Sequence, residues 1–288
     1  MKRQGVTLTM SGVVWRVGFV ALVGVVGASL AGFAGRSWWV FDLFSHFRAQ
    51  YAVVLVAGAL LMLWLGKRRV ALLSAGGLLL NVAVIAPSVV PVSAPVVSSG
   101  SIPCRLASIN VNSANRRYDL VEDWVRATQP DVVVLQEVTS RWMADLAGLD
   151  SLYPHRVMQI EDGNFGIALL SRYPLEDAEV LQLDDVWPPS VSARVRLSGG
   201  VGLRVIGLHV TPPSSRRSSA LRNRQLSALA QLTRSASGPA VVLGDLNLSP
   251  WSPHYGALLR ESGLRDTARG QGVRPTWPVG YWWLWIPI

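Results

Sequence analysis

The run Val241-Val242-Leu243-Gly244-Asp245-Leu246-Asn247 decides how this chain is read. Its three leading apolar residues predict a strand buried on both faces. Gly244 permits a tight exit, and Asp245 and Asn247 follow two residues apart. In an extended or gently turning chain such residues project the same way. A carboxylate and an amide therefore stand together at the end of a rigid strand. That pair suits a water, a metal ion or a phosphate oxygen. It equally suits an Asx-type turn, because Asp and Asn favour turns. The neighbouring strands separate the two readings.

Three further predicted strands end in the same manner. Residues 105–111 run into Ser108-Ile109-Asn110-Val111-Asn112, residues 131–136 run into Gln136-Glu137, and residues 202–209 end in Leu208-His209 before Val210-Thr211-Pro212-Pro213. Taken singly, the Asn is a turn former, the Glu a helix-start charge and the His a satisfied structural residue. Four such ends in one short domain point to a shared rim. On that reading Glu137, with Asn110 beside it, is the candidate ligand set for Mg²⁺ (or Mn²⁺), a cation that takes few protein carboxylates and keeps waters and substrate oxygens. Asp245 is the group to orient or deprotonate an attacking water. Asn110, Asn247 and His209 are donors for oxygens that gain charge in the transition state. Asn164, ahead of Phe165-Gly166, is a further candidate for the pocket lining.

Around these strands the pattern predicts helices over 119–129, 139–146, 216–234 and 253–261, and strands over 165–171, 191–197 and 240–243. In the first helix Asp119 and Glu122 have capping-box spacing, and Leu120, Val121, Trp124 and Val125 share one face. Mixed strands and helices without strict alternation predict α/β layers around stacked sheets. His155 and His254 fall in loops or helix starts. Arg116 and Arg117, and Arg216, Arg217, Arg222 and Arg224 early in the third helix, read mainly as solvated faces.

Charge divides the 288 residues near position 100. Of 27 basic and 18 acidic residues, eight and one (Asp42) lie before residue 101, leaving 19 and 17 beyond it. The second part is near neutral, which argues against a broad basic nucleic-acid face. A single cysteine, Cys104, excludes a disulfide framework and a cysteine zinc cluster. The first part holds three apolar segments at about 13–34, 51–66 and 70–90, each read as a membrane span. Asn81 is placed to hydrogen-bond a neighbouring helix. Gly24, Gly27, Gly32, Gly76 and Gly77 permit close packing. Trp38, Trp39 and Phe41 have the composition of an interfacial belt. Lys2 and Arg3 precede the first span and Lys67, Arg68 and Arg69 lie between the second and third. Two spans lie between these clusters, which puts both on the same, cytoplasmic side, and the third span puts everything after residue 90 outside. The expected location is thus the cell (inner or plasma) membrane, multi-pass. Residues 91–103, rich in Pro and Ser, read as a linker, and residues 104–288 as the globular domain.

The four motifs in this order resemble the endonuclease/exonuclease/phosphatase superfamily, which includes deoxyribonuclease I, neutral sphingomyelinases and inositol polyphosphate 5-phosphatases. Ser108–Val111 is similar to its opening Asn motif, Leu135–Glu137 to its metal-ligand Glu, and 164–175 to its Gly-x-Ala-x-Leu-Ser segment. Leu208-His209 is similar to its phosphate-contacting His, and Gly244–Asn247 to its Asp/Asn pair. The resemblance runs from about Arg105 to the C-terminus, and the three spans with Thr-Pro-Pro resemble a bacterial membrane-anchored branch. It implies a four-layered α/β sandwich, two stacked mixed sheets flanked by helices, and Mg²⁺-dependent phosphoester hydrolysis. The implied partners are nucleic acid or phospholipid and the lipid bilayer, with no obligate protein partner. Members finish with an Asp-bearing strand and Ser-Asp-His, whereas this chain reaches Trp285-Ile286-Pro287-Ile288 instead. The resemblance therefore implies a fold incomplete at the C-terminus and impaired catalysis; the alternative is an inactive, membrane-tethered phosphate-ligand binding module.

Overall fold

A computed structural model describes residues 10–92 and 101–288. The expected linker lies largely outside the described residues. Contacts divide the chain into two units. One comprises Met1–Ser93, Leu248–Ala257 and Arg265–Ile288, the other Ala94–Asn247 and Leu258–Leu264.

The first unit is built on helices α1 (Met10–Ala31), α2 (Trp39–Phe44), α3 (Arg48–Trp64) and α4 (Arg68–Val89). Three helical stretches, Gly12–Ala34, Trp39–Trp64 and Arg68–Val89, are long and apolar enough to cross a membrane. A 22-residue helix such as α4 is about 33 Å long, the thickness of a bilayer's hydrocarbon core. The second stretch begins well before residue 51. Arg48 lies inside it with its guanidinium solvated by protein groups: Nη1 donates to the Ser29 carbonyl at 2.6 Å and to Asn81 Oδ1 at 3.3 Å, and the group lies over the Phe33 ring. Asn81 donates to Ser29 Oγ on α1 at 2.8 Å, the interhelical bond its position in the sequence predicts. Close helix approach occurs at Gly32 and Gly77, and not at Gly24, Gly27 or Gly76, where a methyl group would meet nothing. Trp39 and Phe41 belong to α2 instead of a loop, with Trp38 edge-on to Phe41.

The second unit contains two four-stranded sheets. The first has the order β1-β2-β4-β3, from β1 (Leu106–Asn110), β2 (Val132–Gln136), β3 (His155–Gln159) and β4 (Ile167–Ser171). The second has the order β5-β6-β7-β8, from β5 (Leu175–Leu181), β6 (Ser190–Arg196), β7 (Gly202–His209) and β8 (Ala240–Asp245). Each is mixed, with one parallel pair at its edge, β1 with β2 and β7 with β8. Helices α5 (Tyr118–Thr128), α6 (Ser140–Asp145) and α7 (Arg216–Ser235) belong to this unit, and α8 (Pro253–Ser262) begins in the first unit and ends in this one.

Alternation along the strands sets the layers. In β2, Val132 and Val134 face the core between the sheets, with Ile167, Leu169, Val191 and Val205. Val133 and Leu135 face the opposite way, into a second core with Val125, Trp142 and Leu146 from the helices. Both faces of β2 are thus dry, and each such side chain contributes about 1.5–3 kcal/mol. Gly207 keeps the sheets close, since a methyl group there would press to 2.7 Å on Val134.

Several sequence expectations change. β8 is an edge strand, half-buried along its length, because only β7 covers it laterally. Strands β3 and β5 were not predicted, and His155 lies in β3 instead of a loop. In α5 no side chain caps the N-terminus. Asp119 pairs with Arg117 and Glu122 with Arg126, which leaves neither carboxylate for a capping box. Leu120 and Trp124 are exposed. The packed face is Tyr118, Val121 and Val125, one helical stripe.

Candidate active site

Parallel pairing explains why the functional side chains gather. In a parallel ladder both strands deliver their carboxyl ends to the same rim. Asn110 is aligned with Gln136, and His209 with Asp245. Stacking the two sheets then brings the four ends together, and the hydrogen bonds confirm it. Asn110 Nδ2 donates to Glu137 Oε1 at 2.9 Å and across the sheets to Asp245 Oδ2 at 3.2 Å. One amide thus bridges two carboxylates. Its own Oδ1 accepts from the Asn112 amide at 3.1 Å, which fixes the ring of bonds.

Each carboxylate has a second support. Glu137 Oε2 accepts from the Ser113 amide at 3.1 Å. Asp245 Oδ1 accepts from the Asn247 amide at 2.8 Å. The Asx turn and the functional reading of Asp245-Leu246-Asn247 therefore coexist, the turn using one carboxylate oxygen and leaving the other to the site. Asn247 Nδ2 donates to the Val210 carbonyl at 2.8 Å, tying the end of β8 to the chain leaving β7. Backbone strain marks the same rim. Glu137, Asn112 and Asn247 have φ of 63°, 60° and 49°, a region costly for side-chain-bearing residues and concentrated at functional sites.

His209 is buried behind this rim. Its Nε2 is 3.9 Å from Asp245 Oδ2, its ring packs at 5.5 Å against Phe165, and Nδ1 has no hydrogen-bond partner among the described residues. Asn164 accepts from Ser113 Oγ at 2.5 Å, so it reaches Glu137 through Ser113. Gly166 lets the start of β4 lie against the residue after Glu137, since a methyl group there would meet the Val138 carbonyl at 1.9 Å.

The structure thus brings together Asn110, Glu137, Asn164, His209, Asp245 and Asn247. It adds Ser113 and Arg222, which sequence reasoning missed or misplaced. Arg222 is buried, not on a solvated face, and its Nη1 lies 3.5 Å from the Asn247 carbonyl. Its neighbour Gln225 holds the Thr211 amide at 2.9 Å. The signal available was helical spacing: Ser219, Arg222, Gln225, Leu226 and Leu229 form one stripe of α7. Arg216 and Arg217 are exposed, and Arg224 is engaged by Asp184. Arg116 and Arg117 turn to Tyr118 and Asp119.

No group of three or more His, Cys, Asp or Glu side chains gathers among the described residues. The donor set is two carboxylates on one amide with a histidine beside them. Its carboxylate and amide oxygens suit a hard divalent ion that keeps most of its shell for water.

Two stacked mixed sheets with helices outside form a layered α/β sandwich, and the carboxylate-amide-histidine rim stands at one end of its strands. The chain belongs to the Endonuclease/Exonuclease/phosphatase family, which it matches over residues 107–287. Similar solved structures include beta toxin from Staphylococcus aureus with bound magnesium ions, 19% identical over 57% of this chain and 71% of that one, TM-score 0.48. Sphingomyelinase C from Streptomyces griseocarneus is 20% identical over 57% and 72%, TM-score 0.46. TDP2 from Caenorhabditis elegans is 21% identical over 50% and 47%, TM-score 0.43. A search of curated proteins finds no match.

Proposed function

We propose that this protein is a membrane-anchored phosphoester hydrolase of the nuclease or lipid-phosphodiesterase type, dependent on Mg²⁺, with its site on the extracytoplasmic side. The observation that carries the reading is the Asn110 amide bridging Glu137 and Asp245. Two carboxylates held that close repel each other, and a cation relieves the repulsion while admitting an anionic substrate. Glu137, with Asn110 beside it, would hold the ion. When bound, Mg²⁺ supplies Lewis-acid polarisation of a phosphoryl oxygen.

The protein's own groups do the rest. Asp245 Oδ2 orients a water toward phosphorus and takes its proton as the new P–O bond forms; the ester P–O bond breaks with its electron pair leaving on the ester oxygen, which takes a proton from solvent. The second amide proton of Asn247, and His209 through Nε2, donate to phosphate oxygens gaining charge. Ser113 and Asn164 keep Glu137 in place. The family supports hydrolysis of phosphoesters; nucleic acid and phospholipid are the substrate classes to test.

Purified full-length protein in lipid nanodiscs, supplied with Mg²⁺, is to be assayed on a DNA duplex, a choline phospholipid and an aryl phosphodiester. Turnover should disappear with EDTA. Glu137→Gln and Asp245→Asn should each reduce it by about 10²–10⁴, the usual worth of one acid/base or electrostatic group. Turnover that survives both substitutions sinks the assignment. Mg²⁺-dependent phosphoester binding without turnover would favour a binding module instead.

A further inference from the structure

Residues 275–288 contain no charged side chain and are dense in aromatic ones. They are also unusually open to solvent. Trp277, Val279, Tyr281, Trp282, Trp283 and Trp285 are between 44% and 87% exposed, a contiguous apolar patch of a kind that marks an interaction surface. The patch is built, not frayed. Trp277 and Ile286 pair back to back, with the Ile286 amide donating to the Trp277 carbonyl at 2.7 Å. Between them Tyr281, Trp282 and Trp283 stack edge to face at 5.6 and 5.8 Å.

Its attachment fixes its level. Gln50 Nε2 donates to the Trp285 carbonyl at 2.7 Å. The Gly270 amide donates to the Pro87 carbonyl at 3.2 Å, and the Gly272 amide to the Ser88 carbonyl at 2.8 Å. Gln50 lies in the first turn of α3, and Pro87 and Ser88 in the last turn of α4. These helices are consecutive and joined by a short turn, so the start of one and the end of the other lie at the same end. Phe33 and Trp38, both exposed, lie between α1 and α3 at that end. At the opposite end Lys67 sits over Trp15 at 4.9 Å.

We propose that residues 277–285 form a membrane-interface contact, with their Trp and Tyr rings seated among the headgroups of the leaflet where α3 begins and α4 ends. Aromatic rings with one polar atom favour that layer, and the loop offers no charge to oppose entry. The occupant of this apolar surface is thus a phospholipid bilayer, the one the helices cross. The inference rests on reading those helices as spans.

The test uses the full chain with Cys104→Ser, since Cys104 is its only cysteine. A nitroxide is attached at Val279→Cys or, separately, Trp282→Cys, in phosphatidylcholine bilayers. Val53→Cys, on an exposed face of α3, reports lipid; Val201→Cys, between β6 and β7, reports water. Collisions with oxygen should exceed those with a water-soluble nickel complex at 279 and 282, as at 53, and the order should invert at 201. Labels at 279 and 282 that follow 201 while 53 remains in lipid overturn the proposal alone. A label at 53 that also follows 201 removes the spanning reading and the proposal with it. Labels at 279 and 282 shielded from both reagents would mean that protein covers the loop, which also overturns it. The Val279 variant leaves every Trp in place and so covers the case in which the Trp282 variant fails to fold.

Discussion

Gly244 sits where the backbone of β8 must press against β7 before presenting Asp245. Its φ is 143°, and a methyl group there would lie 1.9 Å from the Leu208 carbonyl. Gly244→Ala therefore has to push the strand end away. The expected cost is at least about 1–3 kcal/mol of stability, read as a lower Tm, with activity falling further because Asp245 leaves Asn110 and His209. An alanine variant with unchanged Tm would mean that the strand end is looser than this geometry requires. The main candidates at the rim were legible because chemistry-bearing residues stood directly after apolar runs. What stayed hidden depends on tertiary contact. Nothing local marks Ser113 as the hydroxyl that reaches Asn164, or its amide as a support for Glu137. Arg222 looked solvated because charge alone does not reveal which turn of α7 faces inward.

Elements with a dry face were legible, whereas the antiparallel edge strands β3 and β5 were not. β2 and β4 are buried at every position, so their sequences are plain apolar runs. β5, Leu175–Leu181, reads LEDAEVL, and its central residues are exposed at an edge, with an irregular register near Asp177. No period of two survives there. The predicted cap at Asp119 failed, whereas Thr139 caps α6 by accepting from the Trp142 amide at 3.2 Å. Thr139→Ala should cost about 1 kcal/mol, measurable by denaturant titration, since a six-residue helix has little else to hold its first turn. Just ahead of β3, Tyr153 is buried and donates to the Pro130 carbonyl at 2.8 Å. Burial raises its phenol above the ordinary value of 10.0. The unfolded chain then loses this proton first, so the contribution is complete below pH 10.0 and is lost as pH rises toward the folded value. Tyr153→Phe should remove that part of the alkaline loss of stability. Identical slopes for wild type and variant above pH 10 would contradict the burial argument.

At the scale of the whole chain, charge asymmetry carries the information. Eight basic residues and one acid precede residue 101, and basic clusters stand before the first apolar segment and between the second and third. The positive-inside rule counts such short flanks, and with two of the three candidate spans between them both clusters argue for the same side. The proposed orientation puts Arg69 in the cytoplasm and Val201 outside. In a Cys104→Ser background, a cysteine at Val201 should react with a membrane-impermeant maleimide on intact cells stripped of any outer barrier. A cysteine at Arg69 should react only after lysis. Reversed labelling would turn the site inward and replace extracellular phosphoesters with cytoplasmic ones as candidate substrates. Replacing Lys67, Arg68 and Arg69 together with glutamine should weaken the bias, because Lys2 and Arg3 alone would then oppose Arg36 on the other flank. A mixture of both orientations in that variant, read from partial labelling at 201, is the expected result. A fully retained orientation would mean that something other than loop charge sets the topology.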